Sequence, residues 1–146
     1  MTNLTFYGHS CFSVEIAGKT LLFDPFILPN PLASQIDVES IQADYVLISH
    51  GHEDHVADAL SILERTGAQL ISNFEIVGWF GQQGITNAHP LNHGGAVTLP
   101  GLGKFVCRDR PERMVRNPAT GEQMKKGADR VAKVTIAKAL KDLINS

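Results

Sequence analysis

The feature that most constrains this chain is an abrupt change of character near its middle. "ADYVLIS" (43–49) is a near-continuous apolar run, the pattern of a strand buried on both faces, and "SHGHEDH" (49–55) follows it at once. "HVADALSILERTG" then shows helical spacing at Val56, Leu60 and Leu63, closed by Gly67. A strand, a polar loop and a helix in that order deliver His50, His52, Asp54 and His55 to one open end of a sheet. Three of the six histidines fall within six positions beside an aspartate, which packing does not explain. Neutral imidazole and carboxylate form the ligand set of hydrolytic zinc sites, where the ion generates hydroxide near neutral pH.

The flanking sequence supplies more strands. "NLTFYG", "CFSVEIA" and "TLLFD" are β-branched and aromatic, with the turn "AGK" between the last two. "PFILPNPLASQ" carries three prolines and reads as a loop. "AQLISN" is a further strand, "FEIVGWFGQQG" a second helix, and "AVTLPGLGKFVCRDR" a pair of strands around "PGLG". In "RVAKVTIAKALKDLINS", Val134, Ala137, Leu140 and Ile144 recur at three and four, which predicts a terminal amphipathic helix. The fold class expected is α/β (α+β). Cys11 and Cys107 have no neighbouring cysteine and read as free thiols in strands.

With "YGHSCFSVEI", "LLFDPF" and "NPLAS" before it and "LNHGG" after it, "ISHGHEDHVAD" resembles the metal motif of the metallo-β-lactamase fold. Residues 1–99 resemble the N-terminal half of the small metal-dependent hydrolases of that superfamily. The resemblance implies that His50 and His52 bind one metal and Asp54 and His55 a second. Asp54 would also position the nucleophilic water and is the candidate catalytic residue, with His9, Asp24 and His93 near the site. The family completes each metal with ligands from later strands, whereas the last histidine here is His93. A catalytic zinc needs about three protein ligands. The cofactor expected is therefore zinc or another divalent metal, weakly bound, with His89 and His93 read as loop residues.

Charge divides the chain. Residues 1–100 hold two basic side chains, Lys19 and Arg65, against ten acidic ones, a balance of −8; residues 101–146 hold eleven against five, +6. Their sum is the net −2. A basic tail of this kind is a candidate nucleic-acid contact.

"VTLPGLGKFVCRDRPERMVRNPATGEQM" with "AKALKDLIN" resembles the C-terminal arm and helix of HU-type nucleoid proteins and integration host factor. The shared features are "GLGKF" (Gly101, Gly103, Phe105), the arginines Arg108, Arg110, Arg113 and Arg116, and the arm-tip "RNPATGE". Leu102, Val115, Val134 and Ala137 depart from that family's pattern. A two-stranded ribbon studded with arginine suits a minor groove, and a tip proline suits a wedge between base steps. The resemblance implies duplex contacts by Arg108, Arg110, Arg113, Arg116, Asn117, Pro118 and Lys138. It also implies a homodimer, since two such arms clamp one duplex. The basic element is expected to run unbroken from about Lys104 to Lys126.

The chain thus reads as an apparent chimera: half of an αββα metallo-β-lactamase sandwich (1–99) continued by an HU-like β-hairpin arm and terminal helix (100–146), joined near "GGAVTLPG". Three functional readings stand at this point. One is a weakly active metal-binding hydrolase-like module with a DNA-binding arm. Another is an architectural DNA-binding protein whose first half is a scaffold, and the third is a chimera with no activity. The start "MTNLTFYGHS" lacks the basic region and apolar stretch of a signal peptide, and no apolar run approaches the roughly 18 residues of a bilayer span. A cytoplasmic location without membrane contact is expected, at the nucleoid if the DNA reading holds.

Overall fold

The computed structural model of the protein describes residues 2–92, 95–116 and 121–145. Of the candidate site residues, His93, Asn117 and Pro118 lie outside them. The chain divides into two compact units after Asn92.

The first unit is a six-stranded sheet whose strands lie in chain order: β1 (Asn3–Gly8), β2 (Cys11–Ile16), β3 (Lys19–Phe23), β4 (Tyr45–Leu47), β5 (Gln69–Ser72) and β6 (Ala88–Pro90). β1, β2 and β3 are antiparallel, and β3 to β6 run parallel. The "AGK" turn is as expected, with Ala17 and Gly18 both at positive φ, 52° and 72°, as a two-residue hairpin turn demands. Cross-strand register places Ser13, Leu22, Val46, Leu70 and Ala88 in one row. That face packs on Ala59, Ile62, Leu63 and Phe80 from the helices to make the core. The alternate row, Phe6, Phe12, Phe23, Leu47 and Ile71, lies on the opposite face, where the Phe12 and Phe23 rings stack 4.4 Å apart. His89 pairs with Ile71 in that register, so it belongs to a strand and not to a loop.

The helix expected from His55 to Thr66 is in fact two. α1 (Glu53–Val56) ends at Ala57, and α2 (Ala59–Thr66) begins after Asp58. Asp58 causes the break. Its buried Oδ2 accepts from the Ile27 and Leu28 backbone N–H groups at 2.5 and 3.0 Å, which ties the proline loop to the helical layer. Gly67 closes α2 in the left-handed conformation, with its N–H on Leu63 O. α3 (Phe74–Gln82) is capped by Asn73, whose side chain accepts from Ile76 N.

The second unit is a β-ribbon on a small sheet. β7 (Ala96–Leu99), β8 (Gly103–Arg110) and β11 (Asp129–Ile136) form three strands in the order β11-β8-β7; β9 (Arg113–Arg116) and β10 (Gln123–Lys126) form a separate hairpin ladder. The basic element is therefore interrupted, contrary to the expectation of one unbroken ribbon. Pro111 and Glu112 stand between β8 and β9, facing Gly127 and Ala128 between β10 and β11. Proline cannot donate to a ladder, which is reason enough for the gap. The terminal helix is also shorter than its periodicity implied. β11 takes Val134 and Ile136, as a β-branched run favours, Ala137 is the cap, and α4 spans only Lys138–Ile144. Leu140 alone of the four predicted apolar positions is fully buried; Ile144 is exposed. Gly103 is obligatory, because at φ 152° a Cβ there would lie 2.5 Å from Thr135 O.

Among the described residues no helix is long and apolar enough to cross a membrane. Replacing Asp58 with Ala should cost about 2–4 kcal/mol in urea unfolding, since two N–H groups beneath the proline loop lose their acceptor; a change below 0.5 kcal/mol would mean that water replaces it freely.

Candidate metal centre and basic ribbon

Every histidine of the "SHGHEDH" motif sits where β4 gives way to α1, and the sheet's first hairpin brings His9 to the same place. The β1–β2 turn is tight, with Gly8 at φ 108° and His9 at φ 53°. A Cβ on Gly8 would meet Leu32 Cβ at 2.9 Å, so only glycine fits there.

Asp24, at the end of β3, organises the centre. It is buried, and its Oδ1 accepts from Ser49 N at 2.7 Å while its Oδ2 accepts from Ser49 Oγ at 2.7 Å. His55 Nδ1 lies 3.0 Å from the same Oδ2. A carboxylate only accepts, so His55 carries its proton on Nδ1 and turns the Nε2 lone pair outward. Ser49 Oγ has given its hydrogen to Asp24 and so accepts from His50 Nδ1 at 2.9 Å, which frees His50 Nε2 as well. An outer carboxylate that fixes a histidine tautomer in this way is the usual support of a metal-binding imidazole.

The freed atoms converge in two sets. His50 Nε2 and His52 Nδ1 stand 3.0 Å apart. His9 Nε2 lies 3.3 Å from His55 Nε2 and 3.1 Å from Asp54 Oδ2, with His55 Nε2 3.9 Å from Asp54 Oδ1. His9, Asp54 and His55 are thus a group able to hold a metal ion. The sets adjoin, the His50 and His55 rings being 4.0 Å centre to centre. The donor types and spacing fit a divalent cation. His89 makes no contact with these side chains among the described residues. Cys11, close by in sequence, is a buried free thiol, and burial pushes it up to about 11, outweighing a hydrogen bond with the Phe26 backbone. Sequence reasoning missed the roles of Ser49 and Asp58: Ser49 acts through its hydroxyl between Asp24 and His50, and Asp58 through backbone N–H groups of the distant proline loop.

In the second unit the candidate DNA contacts differ sharply from one another. Arg110 makes a bidentate pair with Asp129 at 2.9 and 2.7 Å, and Arg113 reaches the same carboxylate at 3.3 Å. These two guanidinium groups, Arg110 foremost, hold the Asp129 carboxyl below its usual range. Its contribution to stability is present above the unfolded value and is lost as pH falls through the lowered folded one. Lys138 pairs with Asp142 one helical turn on, at 2.5 Å. Arg108 and Arg116 are exposed and make no ion pair among the described residues. Register puts Lys104, Arg108 and Arg110 of β8 on one face with Lys133 of β11, and Phe105 and Val134 on the other.

A parallel-edged sheet backed by helices, with imidazoles and a carboxylate converging at the strand ends, defines a metallo-hydrolase type of half-sandwich. The family model described as "Beta-lactamase superfamily domain" matches residues 3–113, and the chain belongs to that superfamily. A second model, "Bacterial DNA-binding protein", matches residues 84–145. Among curated relatives, a UPF0173 metal-dependent hydrolase of Methylacidiphilum infernorum (isolate V4) is 51% identical over 90 residues, 62% of this chain and 40% of its own length. One from Carboxydothermus hydrogenoformans is 45% identical over 108 residues, 74% of this chain and 46% of its own. The chain therefore spans under half the length of the curated relatives it matches. Igni18, a metallo hydrolase from Ignicoccus hospitalis KIN4/I, superposes with a TM-score of 0.63 at 31% identity, covering 92% of this chain and 56% of that one.

Asp24→Asn offers an NH2 group toward His55, which would move the imidazole proton to Nε2 and remove the lone pair from the centre. Zinc affinity, read by competition with a chromophoric chelator, should fall by about 10–100-fold; unchanged affinity would separate Asp24 from the metal.

Proposed function

We propose that this protein is a metal-binding, metallo-β-lactamase-type hydrolase-like module of weak activity, joined to an HU-like DNA-binding arm. The observation that carries the first part is the convergence of His9, Asp54 and His55, beside His50 and His52, on one end of the sheet. In this reading residues 1–99 are the metal-binding half domain and residues 100–146 the arm and helix, with the strand Ala96–Leu99 at the joint. Zinc or another divalent ion, when bound, would supply hydroxide at neutral pH. The chain's own residues do the rest. Asp24 fixes the His55 tautomer, Ser49 that of His50, and Asp54, half exposed, would orient a water. The relatives named as metal-dependent hydrolases are matched over less than half of their own length. Hydrolysis by this chain alone should therefore lie near background, and its metal should yield to mild chelators.

The second part rests on the basic face of the ribbon and on the match of residues 84–145. Arg108 and Arg116, free of acid partners among the described residues, are the primary phosphate contacts; Arg110, Arg113 and Lys138 must first give up Asp129 or Asp142. Asn117 and Pro118 would complete the arm tip. The protein would act as a homodimer, since one arm has nothing to bend a duplex against, and would reside in the cytoplasm at the nucleoid.

Metal analysis of the purified protein, beside titration of a duplex at two salt concentrations, tests both parts. One equivalent of a divalent ion, removable by a mild chelator, together with salt-sensitive duplex binding is expected. Replacing Arg108 and Arg116 with Ala should weaken binding to all duplexes alike and flatten the slope of log affinity against log salt by about two, one per lost phosphate contact. Binding that ignores salt would overturn the DNA assignment, and absence of stoichiometric metal would overturn the first.

A further inference from the structure

The metal-binding reading leaves open which side chains complete a first coordination shell in so short a chain. Resting on that reading, we propose that His9, Asp54 and His55 form a self-sufficient site for one divalent cation of zinc type, with His9 as a ligand recruited from the N-terminal hairpin.

Three independent features carry this. The first is geometric. Zinc bonds of about 2.0–2.1 Å in a tetrahedron separate neighbouring ligand atoms by about 3.3–3.4 Å. His9 Nε2 stands 3.3 Å from His55 Nε2 and 3.1 Å from Asp54 Oδ2, close to that edge without any rearrangement. The remaining edge, 3.9 Å from His55 to Asp54, closes by a small turn of the half-exposed carboxylate.

The second feature is the count of hydrogens. His55 Nε2 carries a lone pair because its proton lies on Nδ1 against Asp24, and the Asp54 carboxylate has lone pairs only. His9 Nε2 faces both. One N–H directed at either acceptor leaves the other to solvent, whereas one cation meets all three atoms at once.

The third is the backbone. His9 is held at φ 53°, a left-handed conformation that glycine adopts at no steric cost and that a histidine adopts against one. The Phe26 ring meets the imidazole edge-on at 5.8 Å and fixes its direction. A strained residue whose side chain is aimed into a cluster of acceptors is the arrangement expected where the side chain itself is needed. His55 is nearly buried, at 10% side-chain exposure, while His9 and Asp54 are open, at 41% and 47%. The fourth position of the tetrahedron is thus left to solvent, as a reactive zinc requires.

Cobalt(II) titration of the full chain tests this, because the visible absorption of the ion reports four-coordination without any assay of activity. Wild type should take up one equivalent with an intense four-coordinate spectrum. His9→Gly, which relieves the backbone, should lose that equivalent by more than the roughly 10–100-fold expected of an outer partner, and should melt at the same temperature or higher. The His50→Ala/His52→Ala double variant should keep it. Retention by His9→Gly within tenfold, or loss by the double variant, would overturn the assignment of His9 while leaving the metal-binding reading intact. Loss of several degrees of melting temperature together with cobalt would give His9 a structural role and overturn it likewise. Failure of wild type to bind would overturn both.

Discussion

The structure of the first unit depends on the Asp24 carboxylate. Seated at the end of β3 with its own N–H on Leu47 O, it receives the Ser49 N–H, the Ser49 hydroxyl and the His55 imidazole. Those contacts tie three successive features together: the last residue before the proline loop, the exit of β4, and the first helical turn. A buried carboxylate with these donors is satisfied without a counter-ion, so the cost of its desolvation is offset locally and its charge remains available to the imidazole. Remove it and the backbone of the His-rich loop loses its anchor, and His55 loses the partner that decides which nitrogen faces the cluster.

From that anchor the rest of the site follows by chain geometry. Parallel β3, β4 and β5 end on one edge, α1 begins there, and the tight turn between β1 and β2 reaches the same edge from the antiparallel side. Asp58 does for the proline loop what Asp24 does for the histidine loop, accepting the buried Ile27 N–H and the adjoining Leu28 N–H. Between them the two aspartates decide where the histidines stand. In the second unit Asp129 has the comparable part, gathering Arg110 and Arg113 at the point where the ribbon is interrupted. A basic composition is thereby divided into cations that hold the ribbon together and cations that face solvent.

Much of this was legible in the amino-acid order. Alternation in "CFSVEI" and the apolar run in "YVLIS" marked strands because burial of one face or both leaves those two patterns, and Gly67 marked a helix end because its cap is local. The clustering of His50, His52, Asp54 and His55 pointed to the site for the same reason: the chemistry lies within six residues. What escaped was non-local or ambiguous in period. The break at Asp58 depends on N–H groups thirty residues away. Val134 and Ile136 fit a helical spacing and a strand equally well, and pairing with β8 decided for the strand. The short β6 around His89 has no hydrophobic run to announce it and exists because β5 offers an open edge. The pairing of Arg110 with Asp129 rather than with an outside anion could not be read from charge totals, since register alone brings them together.

The central claim is that the first unit gathers imidazole and carboxylate donors of its own into one coordination shell. X-ray absorption at the zinc edge, on the full chain loaded with one equivalent, tests it most directly. The account predicts a shell of four nitrogen and oxygen donors near 2.0–2.1 Å with the outer scattering of two imidazole rings. A six-oxygen shell without imidazole scattering would mean that zinc sits elsewhere, on surface carboxylates, and would contradict it.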